Sequence, residues 1–358
     1  MCGNEAMAEA AIQAGLDAYF GYPITPQNEV AAYMSKRMAE EGRVFIQSES
    51  ELAAINMVFG ASATGKRAMT SSSSPGISLM QEGMSYLAAA ELPCVIVNVM
   101  RGGPGLGNIA PSQGDYFQSV KGGGHGDYHC IVFGPSGVQE FADIIPLAFD
   151  LADLYRIPAI ILADGILGQM MEPVVIPKNS KLKTKNLKLP KKDWALTGAE
   201  GRKQNIVRSL WLADGAVEQH NYDLQAKYRQ IEKNEIRCEQ YKIDDADVIV
   251  VAYGIAARIV RGAIEKAREL GIKAGLIRPI TLWPFPSDQI NKAADQPRPG
   301  APGFLVVEMS CGQMVEDVRL AIAGKAPVVF WGRPGGGVPT VEQVFEKIRE
   351  LTIRPKKK

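Results

Sequence analysis

The chain has 358 residues, of which 46% are hydrophobic, so it holds enough apolar material for one or two buried cores. Its 40 basic and 39 acidic residues leave a formal net charge of +1, which excludes a general attraction to nucleic acid or to a membrane surface. No run of about 18 or more apolar residues occurs, and the first residues lack the basic and apolar regions of a secretory signal. We therefore expect a cytoplasmic protein built from two α/β domains.

The first half of the chain alternates apolar, β-branched runs with segments of helical periodicity. A helix is predicted over residues 6–15. Short strands are predicted at 18–20, 44–47, 68–72, 94–99, 130–133 and 159–163. Strands that alternate with helices and with Gly or Pro turns form a parallel sheet wrapped by helices. Because ligands of such sheets bind at the carboxyl ends of the strands, we expect the functional residues directly after these runs.

A basic and irregular stretch follows. Residues 177–192 contain seven lysines, from Lys178 to Lys192, and no acid, and residues 193–221 are rich in turn formers. The basic run has two interpretations: a solvated surface loop, which is the commoner case, or a patch for phosphate or for a partner. Further on, residues 224–242 are mostly polar and carry Leu224, Tyr228 and Ile231 at helical spacing, which predicts an exposed helix there.

A second α/β unit begins near residue 245. Its strands are predicted at 248–251, 273–277, 303–307 and 326–330, with an amphipathic helix at 257–270. The expected division is a first domain at 1–173, a basic linker with the exposed helix at 174–244, and a second domain at 245–358.

Two prolines stiffen the loop Gly-Tyr-Pro-Ile-Thr-Pro-Gln at residues 21–27. Pro23 and Pro26 each fix a φ angle and favour extended conformations at Tyr22 and Thr25. The Thr25 hydroxyl is therefore held rigidly where a strand leaves the sheet. An ordinary Pro-rich turn is the alternative.

Two further candidates follow other predicted strands. Glu49 and Glu51 lie where the strand at 44–47 gives way to a helix, and an acid there is either a functional carboxylate or a residue favoured by the helix macrodipole. Arg101 follows the strand at 94–99 and precedes two glycines that permit close backbone approach. Its guanidinium suits bidentate binding of a carboxylate, and a surface arginine in a Gly-rich loop is the alternative. The hydroxyls of the serines at 71–74 either cap the next helix, which is the default for such residues, or help to line a binding cleft.

This order of loop, glutamate and arginine resembles the alpha subunit of the 2-oxoacid:ferredoxin oxidoreductases. The segment 278–286 resembles the C-terminal domain that these enzymes share with transketolases. The resemblance implies a doubly wound parallel sheet of the pyrimidine-binding type found in thiamin diphosphate (ThDP) enzymes, followed by a smaller transketolase-C-like α/β domain. It is greater to the branched-chain 2-oxoacid (3-methyl-2-oxobutanoate) and 2-oxoglutarate enzymes than to the long fused pyruvate enzymes.

The resemblance also implies roles for individual residues. Glu51 would be the catalytic carboxylate that hydrogen-bonds the aminopyrimidine of the cofactor, and Thr25 and Arg101 would bind the 2-oxoacid. The other cofactor-binding residues would be Tyr22, Pro23 and Ile24. Whether Glu49 contributes stays open.

Features that the chain lacks point to partner subunits. Its five cysteines are scattered without CxxC spacing, so we expect neither an iron–sulfur cluster nor any other metal site in this chain. ThDP enzymes hold the diphosphate through Mg²⁺ with a Gly-Asp-Gly motif and a later Asn-Asn, and the only near match, residues 163–165, lacks that continuation. The resemblance implies a beta subunit with the diphosphate and Mg²⁺ site and a cluster, plus gamma and often delta ferredoxin-like subunits, in a dimer of hetero-oligomers.

The implied reaction is oxidative decarboxylation of a 2-oxoacid with coenzyme A, which gives acyl-CoA, CO₂ and reduced ferredoxin and is reversible. Two other classes stay open: a non-catalytic assembly or regulatory subunit, and a component of a ThDP-dependent acyl or ketol transferase. Residues 60–66 spell GxxxxGK, but Arg67 stands where a phosphate loop needs Ser or Thr, which argues against ATP hydrolysis.

Overall fold

The computed structural model of the protein describes residues 1–176, 188–295 and 303–353. Most of the basic run at 177–192 therefore lies outside the described residues. The strands are β1 Ala18–Gly21, β2 Val44–Gln47, β3 Ala68–Ser72, β4 Cys94–Met100, β5 Ile131–Phe133, β6 Pro158–Asp164, β7 Cys238–Tyr241, β8 Val248–Val251, β9 Ala274–Pro279, β10 Thr281–Trp283, β11 Gly303–Glu308 and β12 Val328–Gly332. The helices are α1 Gly3–Gln13, α2 Asn28–Glu40, α3 Glu51–Ala63, α4 Ser74–Ala89, α5 Tyr116–Val120, α6 Val138–Tyr155, α7 Gly165–Gln169, α8 Ala216–Asn234, α9 Gly254–Glu269, α10 Ser287–Asp295, α11 Met314–Ile322 and α12 Val341–Ile353.

The larger of the two sheets in this part of the chain has seven strands in the order β10-β5-β6-β4-β3-β1-β2. All neighbours are parallel except β10 and β5. Strands β3, β4 and β6 are buried along their whole length, which explains why they read as continuous apolar or small-residue runs. The predicted parallel sheet is confirmed.

Helices cover both faces of this sheet. Connections between parallel strands of one sheet are almost always right-handed. A helix that leads to a strand on one side of the preceding strand therefore lies on one face of the sheet, and a helix that leads to the other side lies on the opposite face. Accordingly α2 and α6 both pack with α1, while α3 and α4 pack with each other. The edge strand β2 stays open on its outer side, with Val44 47% and Ile46 41% exposed.

The smaller sheet has five strands in the order β12-β11-β8-β9-β7. Strands β8, β9, β11 and β12 are parallel, as expected for a second α/β unit, whereas β7 runs antiparallel to β9. Strand β7 is absent from the prediction, because its residues Cys-Glu-Gln-Tyr have neither an apolar run nor a clear alternation.

Strand β10 joins the two halves of the molecule. It lies in the segment 278–286, which the sequence places in the second unit, yet it pairs antiparallel with β5 at the edge of the first sheet, with Thr281 opposite Phe133. A run of only three residues followed by Pro284 gives too little pattern for a strand to be predicted.

Helix α8 differs from its prediction in extent. It begins at Ala216 and ends at Asn234, and the residues after it form β7, so the predicted helical region was displaced toward the C-terminus. The three residues on which the prediction rested, Leu224, Tyr228 and Ile231, are buried, and most of the other residues of the helix are exposed. Within the described ranges, no helix combines the length and apolar character needed to cross a membrane.

Candidate active site

Several segments that carry candidate residues meet at the carboxyl edge of the first sheet. Strands β1, β2, β3, β4 and β6 are parallel neighbours, so the residues that follow them emerge at the same rim. Thr25 follows β1, Glu51 follows β2 and Arg101 directly follows β4. The structure therefore places the three residues predicted from separate segments along one edge.

The loop after β1 is anchored by its main chain. The carbonyl oxygen of Pro26 accepts hydrogen bonds from Asn4 Nδ2 in α1 and from Gln169 Nε2 in α7, both at 2.9 Å. Between the buried ends of the loop, Tyr22 and Pro23 are exposed, and Ile24 and Thr25 are half-buried. An anchored loop with accessible side chains is suited to lining a ligand.

Glu51 is the first residue of α3 and is only 5% exposed. Its Oε1 accepts a hydrogen bond from the Ser72 hydroxyl, at 3.1 Å, from the end of β3. The preceding residue, Ser50, caps the helix by accepting from the main-chain N–H of Ala53. Glu49, in contrast, is exposed and accepts from the Ser50 hydroxyl. The two glutamates therefore differ in burial, and Glu51 alone is withdrawn from water at the rim.

Arg101 links the loop after β1 to the loop after β4 by hydrogen bonds. Its Nη1 donates to the main-chain oxygen of Thr25 at 3.0 Å, and its Nη2 donates to that of Leu106 at 3.1 Å. The residue is 8% exposed, and its Nε has no hydrogen-bond partner among the described residues. A guanidinium has five N–H groups, so three remain for a ligand. The structure brings Arg101 and Thr25 together through the threonine's carbonyl.

A polar cluster behind Arg101 has no counterpart in the predictions. Ser74 Oγ donates to Asp115 Oδ2 at 2.5 Å and accepts from the main-chain N–H of Arg101 at 3.0 Å. Asn98 Nδ2 donates to the same Asp115 oxygen at 2.9 Å, and its Oδ1 accepts from the Ser74 main-chain N–H. Burial raises the pKa of Asp115, against the lowering effect of these hydrogen bonds from Ser74 and Asn98. The cluster fixes the main chain at the end of β4.

The expected capping role of the serines is wrong. Ser73 occupies the N-cap position of α4, but its hydroxyl makes no capping hydrogen bond. Instead, Ser71 donates to Gln27 Oε1 at 2.6 Å, Ser72 donates to Glu51, and Ser74 belongs to the Asp115 cluster. These hydroxyls hold the neighbouring segments of the rim, because the strand end that carries them lies between β1 and β4.

Asp164, in the near match to Gly-Asp-Gly, uses its carboxylate in hydrogen bonds within the protein. It is buried, and its Oδ1 accepts from the main-chain N–H groups of Ile166 and Leu167, which caps α7. Burial raises its pKa to about 6, against the lowering effect of these N–H groups and that of Ile255. In the part of the chain that the structure describes, no three His, Cys, Asp or Glu residues are grouped so as to hold a metal ion.

Two family models together match most of the chain. The model described as pyruvate flavodoxin/ferredoxin oxidoreductase, thiamine diP-bdg, matches residues 9–240. The model described as pyruvate:ferredoxin oxidoreductase core domain II matches residues 246–344.

Relatives of known name match over nearly their whole length. The chain is 52% identical to the ketoisovalerate oxidoreductase subunit VorB of Methanothermobacter thermautotrophicus, over 349 residues that cover 98% of this chain and 96% of the relative. It is 37% identical to the 2-oxoglutarate synthase subunit KorA of the same organism, over 98% of this chain and 97% of the relative.

Solved structures agree with the architecture. A 2-oxoglutarate:ferredoxin oxidoreductase from Magnetococcus marinus, with 2-oxoglutarate, coenzyme A and succinyl-CoA bound, matches with a TM-score of 0.82 and 27% identity. The match covers 98% of this chain and 65% of that one, so this chain spans about two thirds of its length. A split-gene transketolase, an inactive beta4 tetramer, matches over 98% of both chains with a TM-score of 0.60 at 14% identity, which shows a shared fold alone.

These matches confirm the predicted fold class, a pyrimidine-type ThDP-binding domain followed by a transketolase-C-like α/β domain. They also confirm the resemblance that the loop, Glu51 and Arg101 suggested. The chain belongs to the 2-oxoacid:ferredoxin oxidoreductases, ThDP-dependent enzymes of several subunits, as an alpha subunit.

Proposed function

We propose that this chain, together with partner subunits, catalyses the oxidative decarboxylation of a 2-oxoacid with coenzyme A to acyl-CoA, CO₂ and reduced ferredoxin. The observation that carries the proposal is the placement of Thr25, Glu51 and Arg101 along one rim, with Glu51 buried and Arg101 nearly so. A buried carboxylate and a buried guanidinium with spare donors are the two groups that such a reaction needs from this chain.

Glu51 fits the aminopyrimidine ring of ThDP. Ser72 donates to its Oε1, and no described group donates to its Oε2, which leaves one oxygen as an acceptor for a protonated ring nitrogen. The exposed and half-buried residues of the anchored loop, Tyr22, Pro23 and Ile24, would contact the ring. Bound ThDP supplies the carbanion chemistry of the reaction, and Glu51 would hold the proton at the ring nitrogen.

Arg101 and Thr25 would bind the 2-oxoacid. The guanidinium is held in place by two carbonyl oxygens and keeps three N–H groups, enough for a bidentate contact with the substrate carboxylate. The Thr25 hydroxyl, half-buried beside it, would donate to an oxygen of the same substrate. Because the guanidinium is already ordered, little side-chain entropy is lost on binding.

The diphosphate and Mg²⁺ would be held by a beta subunit that also carries an iron–sulfur cluster. In support, Asp164 is buried and already caps α7, so it is not free to hold Mg²⁺. Gamma and often delta subunits would pass electrons to ferredoxin, in a cytoplasmic dimer of hetero-oligomers. Within this chain the proposed division is 1–173, 174–244 and 245–358.

The substrate class we propose is a branched-chain 2-oxoacid such as ketoisovalerate. The support is the identity of 52% to a ketoisovalerate oxidoreductase subunit, against 37% to a 2-oxoglutarate synthase subunit over the same share of the chain. The use of coenzyme A is supported by the Magnetococcus marinus enzyme, which was solved with coenzyme A and succinyl-CoA bound.

The test is 2-oxoacid-dependent viologen reduction, with ThDP and coenzyme A, by the complex that co-purifies with the tagged chain. We expect the highest kcat/KM with ketoisovalerate, near-complete loss of activity in Glu51→Gln, and little change in the matched control Glu49→Gln. A complex that contains ThDP and clusters but leaves every 2-oxoacid unreacted would point to the regulatory subunit. Decarboxylation with acyl transfer and no viologen reduction would point to the transferase.

A further inference from the structure

We propose that Ser72 is the positioning residue for Glu51, an inference that rests on the proposed function of that glutamate. Ser72 is the last residue of β3 and is fully buried, and Glu51 is the first residue of α3. The hydrogen bond between them, at 3.1 Å, joins two segments 21 residues apart in sequence. It is the contact that sets which carboxylate oxygen turns toward the protein.

The Ser72 hydroxyl donates its hydrogen bond to Glu51. A serine hydroxyl has one proton to donate, and Ser72 gives it to Oε1 of Glu51. Ser71 is hydrogen-bonded to Gln27 and Ser74 to Asp115, while the buried hydroxyl of Ser73 has no hydrogen-bond partner among the described residues. Among these four hydroxyls, only that of Ser72 donates to the glutamate.

Gly76, in the first turn of α4, packs against the hydrogen bond between Ser72 and Glu51. A Cβ added at this position would overlap both Ser72 Oγ and Glu51 Oε1. Both atoms belong to buried side chains, so neither can swing away into solvent. The glycine therefore leaves the space in which the serine and the carboxylate meet.

The consequence is a carboxylate with unequal oxygens. Oε1 is held by Ser72 and packed against Gly76, and Oε2 is left to act on the cofactor ring. Side chains that hold a catalytic group in its productive rotamer act through that group without touching the substrate. Loss of the Ser72 hydroxyl should therefore slow the step that Glu51 assists and should leave 2-oxoacid binding at Arg101 unchanged.

The experiment uses the assembled complex loaded with ThDP and measures hydrogen–deuterium exchange at thiazolium C2 of the bound cofactor, alongside kcat and the KM for the 2-oxoacid. We expect Ser72→Ala to slow C2 exchange by about 10- to 100-fold, the range for a lost hydrogen bond to a charged group, with an unchanged KM. Ser62→Ala is the matched control, because Ser62 is a buried serine of α3 whose hydroxyl donates to the Pro93 carbonyl oxygen, away from Glu51.

A double variant separates this inference from the proposed function. If Ser72 acts through Glu51, then Glu51→Gln with Ser72→Ala exchanges no more slowly than Glu51→Gln alone. Slow exchange in Glu51→Gln with normal exchange in Ser72→Ala would overturn the positioning role only. Normal exchange in Glu51→Gln would overturn the proposed function itself.

Gly76→Ala gives a second route if Ser72→Ala does not assemble. It retains the serine side chain, but the added Cβ would overlap both Ser72 Oγ and Glu51 Oε1 and so disrupt their contact, and we expect slow C2 exchange with an unchanged KM for the 2-oxoacid. Wild-type exchange in an assembled Gly76→Ala complex would contradict the inference.

Discussion

At the scale of single residues, the guanidinium of Arg101 donates to main-chain carbonyl oxygens and has further donors that are proposed to bind the substrate. Two of its N–H groups are used by the carbonyl oxygens of Thr25 and Leu106, which hold the loops after β1 and β4 together. Its remaining donors, including an Nε that no described group satisfies, are the ones proposed for the substrate. A buried donor without a partner costs about 1–3 kcal/mol, so a ligand that satisfies it gains that amount.

Arg101→Ala should raise the KM for the 2-oxoacid strongly. Truncating one partner of a buried charged pair costs about 2–5 kcal/mol of binding, and the loops lose the hydrogen bonds that link them as well. Steady-state kinetics of the assembled enzyme measure the effect. Arg43→Ala is the control, since Arg43 also donates to two carbonyl oxygens, those of Ile12 and Leu16, but it lies away from the rim. Equal KM values in the two variants would exclude a substrate contact at Arg101.

The serines show where sequence reasoning stops at this scale. Residue type and position at the start of a helix favoured capping, and that expectation was wrong for Ser71, Ser72 and Ser74. Their partners, Gln27, Glu51 and Asp115, come from other segments of the rim. Which strand lies beside which is a property of the sheet order, and no local pattern contains it.

At the scale of elements, Asp164 lies where two helices begin. Its carboxylate caps α7, and the main-chain N–H of Ile255 in the first turn of α9 also acts on it. Burial nevertheless outweighs these groups and raises its pKa to about 6, from 3.8. The folded protein therefore binds this proton more tightly than the unfolded chain does. Its contribution to stability is greatest below pH 4 and is lost as the pH rises through about 6.

Asp164→Asn should remove this pH dependence. The amide keeps a capping oxygen but carries no charge. Between pH 4 and pH 7.5 the variant should become more stable relative to wild type, with a free energy of unfolding larger by roughly 3 kcal/mol, because a shift of one pKa unit corresponds to about 1.4 kcal/mol. Thermal or urea unfolding at several pH values measures the difference, with the exposed Asp214→Asn as control. A wild-type-minus-variant difference that stays constant with pH would refute the assignment.

The elements that the sequence predicted share one property. Strands β2, β3 and β8 were predicted to the residue, and β1, β4, β5, β6, β9, β11 and β12 to within a few residues, because each is a compact run of apolar, β-branched or small residues. The missed strands β7 and β10 lie at sheet edges and run antiparallel to their neighbours. Strand β7 is only partly buried, so burial imposes little pattern on its four residues, and β10 is buried but has only three residues.

At the scale of the whole molecule, the two sheets are joined by buried polar contacts. Gln113 is fully buried; its Nε2 donates to the Tyr253 carbonyl oxygen at 3.0 Å, and its Oε1 accepts from the Met309 main-chain N–H at 2.9 Å. Arg278 of β9 makes a bidentate ion pair with Glu140 of α6, with both distances at 2.9 Å. The relative position of the two halves is thus set by specific hydrogen bonds.

Gln113→Ala should loosen this junction. It leaves the Met309 N–H buried without a partner, at a cost of about 1–3 kcal/mol, while the Tyr253 carbonyl keeps the main-chain N–H of Ala257 as its donor. We expect faster amide hydrogen exchange at Met309 and a lower free energy of unfolding, while the exposed Gln219→Ala should change neither. Unchanged protection at Met309 would show that the junction does not depend on this side chain.

The sequence predicted which residues belong to the candidate site, but not the contacts between them. Thr25, Glu51 and Arg101 could be proposed because each follows a strand whose end lies at one rim, and because the family resemblance favoured Glu51 over Glu49. The Arg101 contact with the Thr25 carbonyl, the Ser72 contact with Glu51, and the Asp115 cluster depend on side-chain directions across strands. Those directions follow from the three-dimensional packing and leave no spacing pattern in the chain.

Strand β10 has a consequence for the order of synthesis. Because Thr281–Trp283 supplies the strand that covers β5, the first sheet stays incomplete on that side until the ribosome has made almost four fifths of the chain. A fragment that ends near residue 244 would contain every other strand of the sheet and would still leave β5 with an unpaired edge, a site for non-native strand pairing. The first sheet can therefore be completed only after the segment that contains β10 has been synthesised.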